Sequence, residues 1–181
     1  RRLARDLGLP DWALKLIDQE RSHAKSAEDK AELQLAECDV LRTKADLQRD
    51  LSTRLEAYAR AGAAYSKVFQ DFGATQVAQR AQREVGVTAH SYAEALDQLF
   101  ATEEVSAERR QALIAAAEPF LKSAVKSMNE LIRWWSELPD ESEEKEALRF
   151  TLYYPTQFFR AITYTSWARL HPPDSLERDQ Y

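Results

Sequence analysis

The sequence predicts an all-α fold, because residues that favour helices dominate it and residues that favour strands are scattered. Only four Gly and six Pro interrupt 181 residues, and β-branched residues never gather into the alternating runs typical of strands. Apolar residues instead recur at steps of three and four, which is the helical period. The clearest seam ends at Gly73 and comprises Leu55, Tyr58, Gly62, Tyr65, Phe69 and Phe72. We therefore expect antiparallel helical hairpins, packed as a repeat-like array or as an irregular bundle.

The first helix is predicted to begin at Pro10, whose missing amide would be unpaired in a first turn anyway. It should end near Ser22 or Lys25. Its predicted inner face comprises Leu14 and Ile17 with Trp12 or Leu16.

A second helix is predicted to begin after Ser26, because a serine followed three residues later by Asp29 is a typical N-terminal cap. This helix should end near Lys44. Its apolar stripe comprises Leu33, Ala36 and Val40, with Cys38 beside it.

The seam described above predicts a third helix and the first half of a hairpin. Thr53 and Glu56 form a capping-box pattern directly ahead of it, and Gly73 ends it. A fourth helix should run from Thr75 to Leu99 or Phe100, with Gly86 placed for close approach to a neighbouring helix. The residues predicted for the hairpin core are Tyr58, Tyr65, Phe69 and Phe72.

The last third of the chain predicts a long helix from Ser106 to Leu138, followed by two shorter ones. Pro119 should kink or break the long helix near residues 116–118. Asp140 and Glu143 suggest a cap for a short helix ending near Tyr153, after which Pro155 begins a final helix. That final helix carries aromatic residues on several sides. The residues predicted to contact a protein partner are Trp134, Trp135, Tyr153, Tyr154, Phe158 and Trp167.

Composition limits what the chain does. Both signs of charge are interspersed around a net charge of -5, which disfavours binding to DNA phosphates. No run of about 20 apolar residues is present to span a membrane. A single cysteine, Cys38, is compatible with a reducing compartment, so we expect a cytoplasmic protein.

The length fits a single helical domain over residues 1–171, with 1–105 and 106–171 as an alternative division and 172–181 as a tail or linker. The absence of an initial Met suggests a fragment of a larger multidomain protein.

Ala61, Tyr65, Val68 and Gly73, at the end of the seam, resemble the second half of a tetratricopeptide repeat in their spacing. One repeat of 34 residues further on stand Ala95 and Leu99. The first half of the repeat is not matched, since its positions ahead of the seam hold Ala45, Gln48, Arg49 and Ser52. The resemblance covers roughly residues 27–105 and implies a scaffold that binds peptides or domains in a groove between stacked helices.

Two residues also resemble a catalytic pair. Arg83 and His90 have a spacing similar to that of the helical HEPN ribonucleases, in which arginine would hold phosphate and histidine would transfer protons. Other pairs of potential ligands are incomplete. Glu20 with His23 lacks the second such pair of a di-iron bundle, and His90 with Glu94 lacks a third metal ligand.

The sequence therefore predicts a non-catalytic module for protein–protein contact or scaffolding, with no cofactor and no metal. Its partner would be another protein, a neighbouring domain of the same polypeptide, or a second copy. The alternative is a HEPN-like ribonuclease that uses Arg83 and His90.

Overall fold

The computed structural model describes residues 8–73, 75–140 and 142–171, and this part of the chain is all-α as predicted. A π-helical turn, Arg149–Tyr153, joins the last two α-helices. In chain order the α-helices are α1 (Pro10–Arg21), α2 (Ala27–Asp46), α3 (Leu51–Phe72), α4 (Gln76–Thr102), α5 (Ala107–Glu137), α6 (Glu143–Leu148) and α7 (Tyr154–Leu170). None of these helices is long and apolar enough to cross a bilayer.

Hydrogen bonds between side chains fix the direction of α2 and α3. The Tyr65 hydroxyl donates to Asp39, and the Tyr58 hydroxyl donates to Asp46, each at 2.7 Å. Residue numbers rise along α2 as they fall along α3, so the two helices are antiparallel. These bonds also pair the buried tyrosine hydroxyls, which would otherwise cost free energy.

The same reasoning orients the remaining helices. Contacts show that α1 is antiparallel to α2, that α5 is antiparallel to α4, and that α7 is antiparallel to α5. The contacts that establish this are Lys44 to Asp11, Arg21 to Glu37, Gln82 to the Ser127 carbonyl, Tyr92 to Phe120, Arg160 to Asn129, and Lys122 over Trp167. The chain therefore runs back and forth in successive hairpins.

The centre of the fold is α4, in which 15 of 27 residues are buried, so neighbouring helices cover most of its circumference. Gly62 of α3 and Gly86 of α4 allow α5 to lie close to these two helices. A side chain at Gly86 would collide with the Met128 thioether, and one at Gly62 would collide with the Phe120 ring. The close approach predicted for Gly86 is confirmed, and Gly62 makes a second one.

The predicted cap at Ser26 is confirmed, and two further helices begin where predicted, at Thr75 and Ser106. The side chain of each of these residues accepts a hydrogen bond from a backbone amide three residues later. Gly73 ends α3 with a φ of 57°, a conformation that glycine adopts without strain.

Two predicted caps are wrong. Asp50, not Thr53, begins α3, because its carboxylate accepts from both the amide and the hydroxyl of Thr53. Ser142, not Asp140, begins α6, and the Asp140 carboxylate instead accepts from the Lys145 ammonium at 2.7 Å. That bond lowers the pKa of Asp140.

Of the kink or break predicted at Pro119, the break is wrong, because α5 continues through this residue, and the kink stays a prediction. A proline in a helix leaves the carbonyl four residues earlier, here Ala115, without its amide partner. Both residues are exposed, so water is able to hydrogen-bond to that carbonyl and the helix persists.

The predicted faces of three helices need correction. In α2, Val40 is buried as predicted, but Leu33 and Ala36 are half-buried, and Leu35 and Cys38 are buried in their place. In α3, Tyr58 and Tyr65 are buried as predicted, but Phe69 and Phe72 are only half-buried and Val68 takes the core position. In α1, Ala13 is the buried residue, Leu14 and Ile17 pack beside it, and Trp12 and Leu16 are exposed. The predicted tail at 172–181 lies outside the described residues, and the alternative division at residue 105 stays a prediction.

Candidate functional site

Three large aromatic side chains lie exposed along the π-turn and the first turns of α7. They stand four residues apart and form what we call the aromatic face: Phe150, Tyr154 and Phe158, which are 69%, 50% and 59% exposed. The Phe150 and Tyr154 rings meet edge to face, with centroids 5.5 Å apart. The rings of Phe150 and Tyr154 are therefore in contact on the surface, and Phe158 lies one helical turn further along.

The π-turn that carries Phe150 follows from Pro155. A proline removes the amide that would bond to the carbonyl four residues earlier, which is the Thr151 carbonyl, and its ring crowds that carbonyl. The wider π-turn makes room for the ring. The Arg83 guanidinium of α4 donates to the Thr151 carbonyl at 2.8 Å, a carbonyl to which Pro155 has no amide to donate.

Packing beneath the aromatic face holds the π-turn against α5. The Tyr153 ring stacks on Trp135, with centroids 3.9 Å apart and planes 21° apart. The Trp135 indole nitrogen donates to the Lys145 carbonyl, and the buried Lys145 ammonium donates to the Leu138 carbonyl at 2.8 Å. These contacts hold the π-turn, and with it Phe150, in place against α5.

The structure separates the six predicted contact residues into three groups. Tyr154 and Phe158 lie exposed on the aromatic face. Trp134, Trp135 and Tyr153 are half-buried. Trp167 is only 2% exposed and belongs to the main core, so it is removed from the contact set as a correction.

Phe150 is the residue that sequence reasoning missed. Its spacing of four and eight from Tyr154 and Phe158 was visible in the sequence. The prediction treated Pro155 as the boundary between two helices, whereas the chain continues from the π-turn directly into α7. Residues on both sides of the proline therefore share one face.

Arg83 and His90 lie on the same helix but have separate surroundings. Both Arg83 and Arg42 donate to the Glu84 carboxylate, and Arg83 also donates to Thr151. The Arg83 guanidinium is thus already bound to protein groups, which leaves less of it for a phosphate.

His90 lies in a cleft between α4 and α7 of about 590 Å³. One imidazole nitrogen is 3.5 Å from the Ser166 hydroxyl, and the other is 3.5 Å from the Glu94 carboxylate. Ser166 lies within α7, where backbone amides are used by the helix and are not free to stabilise an oxyanion. The backbone of α7 at Ser166 therefore offers no free amide to an oxyanion.

The other candidate ligands do not converge. Glu20 and His23 are exposed, with the carboxylate 4.0 Å from the ring nitrogen. No group of three or more potential metal ligands is found among the described residues. Cys38 is buried, and burial together with Glu37 and Asp39 raises its thiol pKa to about 12, so it is un-ionised at neutral pH.

Comparison of this chain with protein-family models, with curated proteins and with solved structures finds no match.

Proposed function

We propose that this chain is a protein–protein interaction module that binds its partner through the aromatic face. The observation that carries the proposal is the exposure of three large aromatic rings at four-residue spacing along one helical segment. Exposed Phe and Tyr side chains of this size are costly in water and are concentrated at protein interfaces. A partner that covered them would gain the free energy of their burial.

The supporting geometry suits a preformed surface. Tyr153 and Trp135 stack beneath the π-turn, and Arg83 holds its carbonyl, so the aromatic face requires little ordering on binding. As part of the same proposal, the module acts as a scaffold in the cytoplasm, in keeping with its single buried Cys38. The resemblance to tetratricopeptide arrays belongs to this proposal, and the successive antiparallel hairpins support it.

Site-specific photo-crosslinking in cells tests the proposal. The photoreactive residue p-benzoylphenylalanine is placed at position 154 or 158, and a matched control places it at position 111, where the exposed Gln111 lies on α5. We expect a discrete cross-linked protein from positions 154 and 158 and none from position 111. The same products from all three positions, or none specific to the aromatic face, would contradict the proposal.

The ribonuclease alternative has its own test. Labelled single-stranded RNA is incubated with the parent chain and with His90→Ala, and cleavage that depends on His90 would favour it. We do not expect this, because Arg83 is already engaged by Glu84 and Thr151.

A further inference from the structure

A groove of about 610 Å³ lies among α1, α2 and α3 and shares no residue with the aromatic face. Its apolar lining comes mainly from α2 and α3. Because those helices are antiparallel, Leu33 of α2 lies across from Phe72 of α3, and Leu41 lies across from Ala64. The end of α1 and the loop after it close the third side with Arg21 and Ala24. The result is an apolar trough with three walls.

Cys38, the one cysteine in the lining of the groove, is not ionised at neutral pH. Cys38 contributes to the lining, and its pKa is raised to about 12 by burial and by the charges of Glu37 and Asp39. The thiol therefore behaves as a small apolar group at neutral pH.

The rim of the groove carries three cations, of which one is not neutralised. Arg21 is paired with Glu37, and Lys67 is paired with Asp71 at 2.9 Å. Lys30 is exposed and forms no ion pair within the described residues. It lies at the end of the groove where Leu33 and Phe72 also lie. An anion bound at that end would complete the local charge balance.

The length and lining of the groove indicate the kind of occupant. Its lining along α2 runs from Lys30 to Leu41, a span of about 16 Å at 1.5 Å per residue. An extended hydrocarbon chain is able to lie along this span and contact apolar side chains of both α2 and α3. Lys30 at one end of the span matches an anionic head group.

From these observations we infer that the groove binds a free fatty acid, with its acyl chain along Leu33, Leu41, Ala64 and Phe72 and its carboxylate at Lys30. The volume lies within the range of small-molecule sites, which are largely apolar with a few polar groups that orient the ligand. The apolar lining supplies most of the affinity, and the ammonium of Lys30 selects the charge of the head group.

Calorimetric titration of the purified chain tests this inference with dodecanoate below its micellar concentration. We expect saturable binding of one molecule per chain. Dodecyltrimethylammonium has the same chain length and the opposite charge, and it should bind at least tenfold more weakly. Equal binding of the two amphiphiles, or binding that does not saturate, would overturn the inference.

Two variants locate the site. Lys30→Glu should weaken dodecanoate binding about tenfold, whereas the matched control Lys126→Glu, an exposed lysine of α5 outside the groove, should leave it unchanged. Ala64→Phe should fill the trough and abolish binding, with urea unfolding used to verify that the variant is folded. If Ala64→Phe does not fold, Lys30→Glu decides. An unchanged affinity in Lys30→Glu, or equal losses in the two lysine variants, would reject the site.

Discussion

The tyrosines of α3 and the aromatic face of the π-turn and α7 place aromatic side chains in opposite environments. Tyr58 and Tyr65 are buried, and each hydroxyl donates to an aspartate of α2. Phe150, Tyr154 and Phe158 are exposed, and their rings contact neighbouring rings along the same segment. The difference teaches that aromatic content alone does not distinguish folding residues from contact residues. The two kinds of residue are distinguished by burial and by whether the side chain contacts another helix.

The largest expected effect contrasts two aromatic residues of α7. Trp167→Ala removes a ring from the main core and should lower the free energy of unfolding by about 3–5 kcal/mol. Phe158→Ala removes an exposed ring and should change it by less than about 0.5 kcal/mol. Urea unfolding followed by circular dichroism measures both. Similar losses in the two variants would remove the distinction between the core and the aromatic face.

A smaller effect is expected where glycine admits an aromatic ring from another helix. Gly62→Ala places a methyl group against the rigid Phe120 ring and should destabilise by about 1–3 kcal/mol. Gly86→Ala meets the flexible Met128 side chain, which is able to move, so its cost should be lower. Thermal unfolding of both variants compares them, and a more stable Gly62→Ala protein would contradict the close packing.

The tyrosine hydroxyls give a third comparison. Tyr65→Phe removes the donor to Asp39 and should cost about 1 kcal/mol. Tyr154→Phe, its control on the aromatic face, should leave the stability unchanged because that side chain is exposed. Chemical denaturation of the two variants side by side measures the difference, which should vanish if the buried bond contributes nothing.

A double-mutant cycle isolates the bond from Arg83 to Thr151. Pro155→Ala restores an amide for the Thr151 carbonyl, so Arg83→Met should cost less in that background than in the parent. We expect a coupling free energy of about 1 kcal/mol. Additive effects would mean that Arg83 does not compensate for the proline, and that its role lies wholly with Glu84.

The smallest effect at neutral pH concerns Cys38. Below pH 9 both the folded and the unfolded states keep the thiol proton, so its burial contributes fully to stability. Because folding raises the thiol pKa from 9.0 to about 12, only the unfolded state loses the proton in that interval and stability falls as the pH rises.

Cys38→Ala provides the control for that dependence, since its stability should fall less over the same interval. A thiol reagent such as dithionitrobenzoate at pH 8 should also react slowly with the native chain and rapidly in denaturant. Rapid reaction of the native protein would contradict the burial of Cys38.

Much of the fold follows from local signals in the sequence. Ser26, Thr75 and Ser106 cap their helices because a hydroxyl ahead of a helical pattern satisfies an amide that the helix itself leaves unpaired. Asp50 was missed because Asp50 and Thr53 are both capping residue types, and only the burial of Leu51 favours the earlier start. The sequence thus predicts which residue types cap a helix, whereas tertiary contacts determine which of two neighbouring candidates is the cap.

The candidate site was less predictable, because exposure depends on which helices meet. The aromatic pattern of α7 gives no indication that Trp167 faces the core while Phe158 faces solvent, since rings occur on several sides of the helix. Phe150 was missed for a different reason, namely the conformation at Pro155. The π-turn there is contacted by Arg83, which is 68 residues away from Thr151 in sequence.

The π-turn has a consequence for how this segment tolerates changes in length. A π-turn takes up one residue more than an α-helical turn, because its hydrogen bonds span five residues instead of four. Deletion of Thr151 would therefore let the segment return to α-helix without rotating α7, and Tyr154 would follow Phe150 at the three-residue spacing that still shares a helix face. The extra residue of the π-turn thus allows this segment to lose one residue and keep the aromatic face.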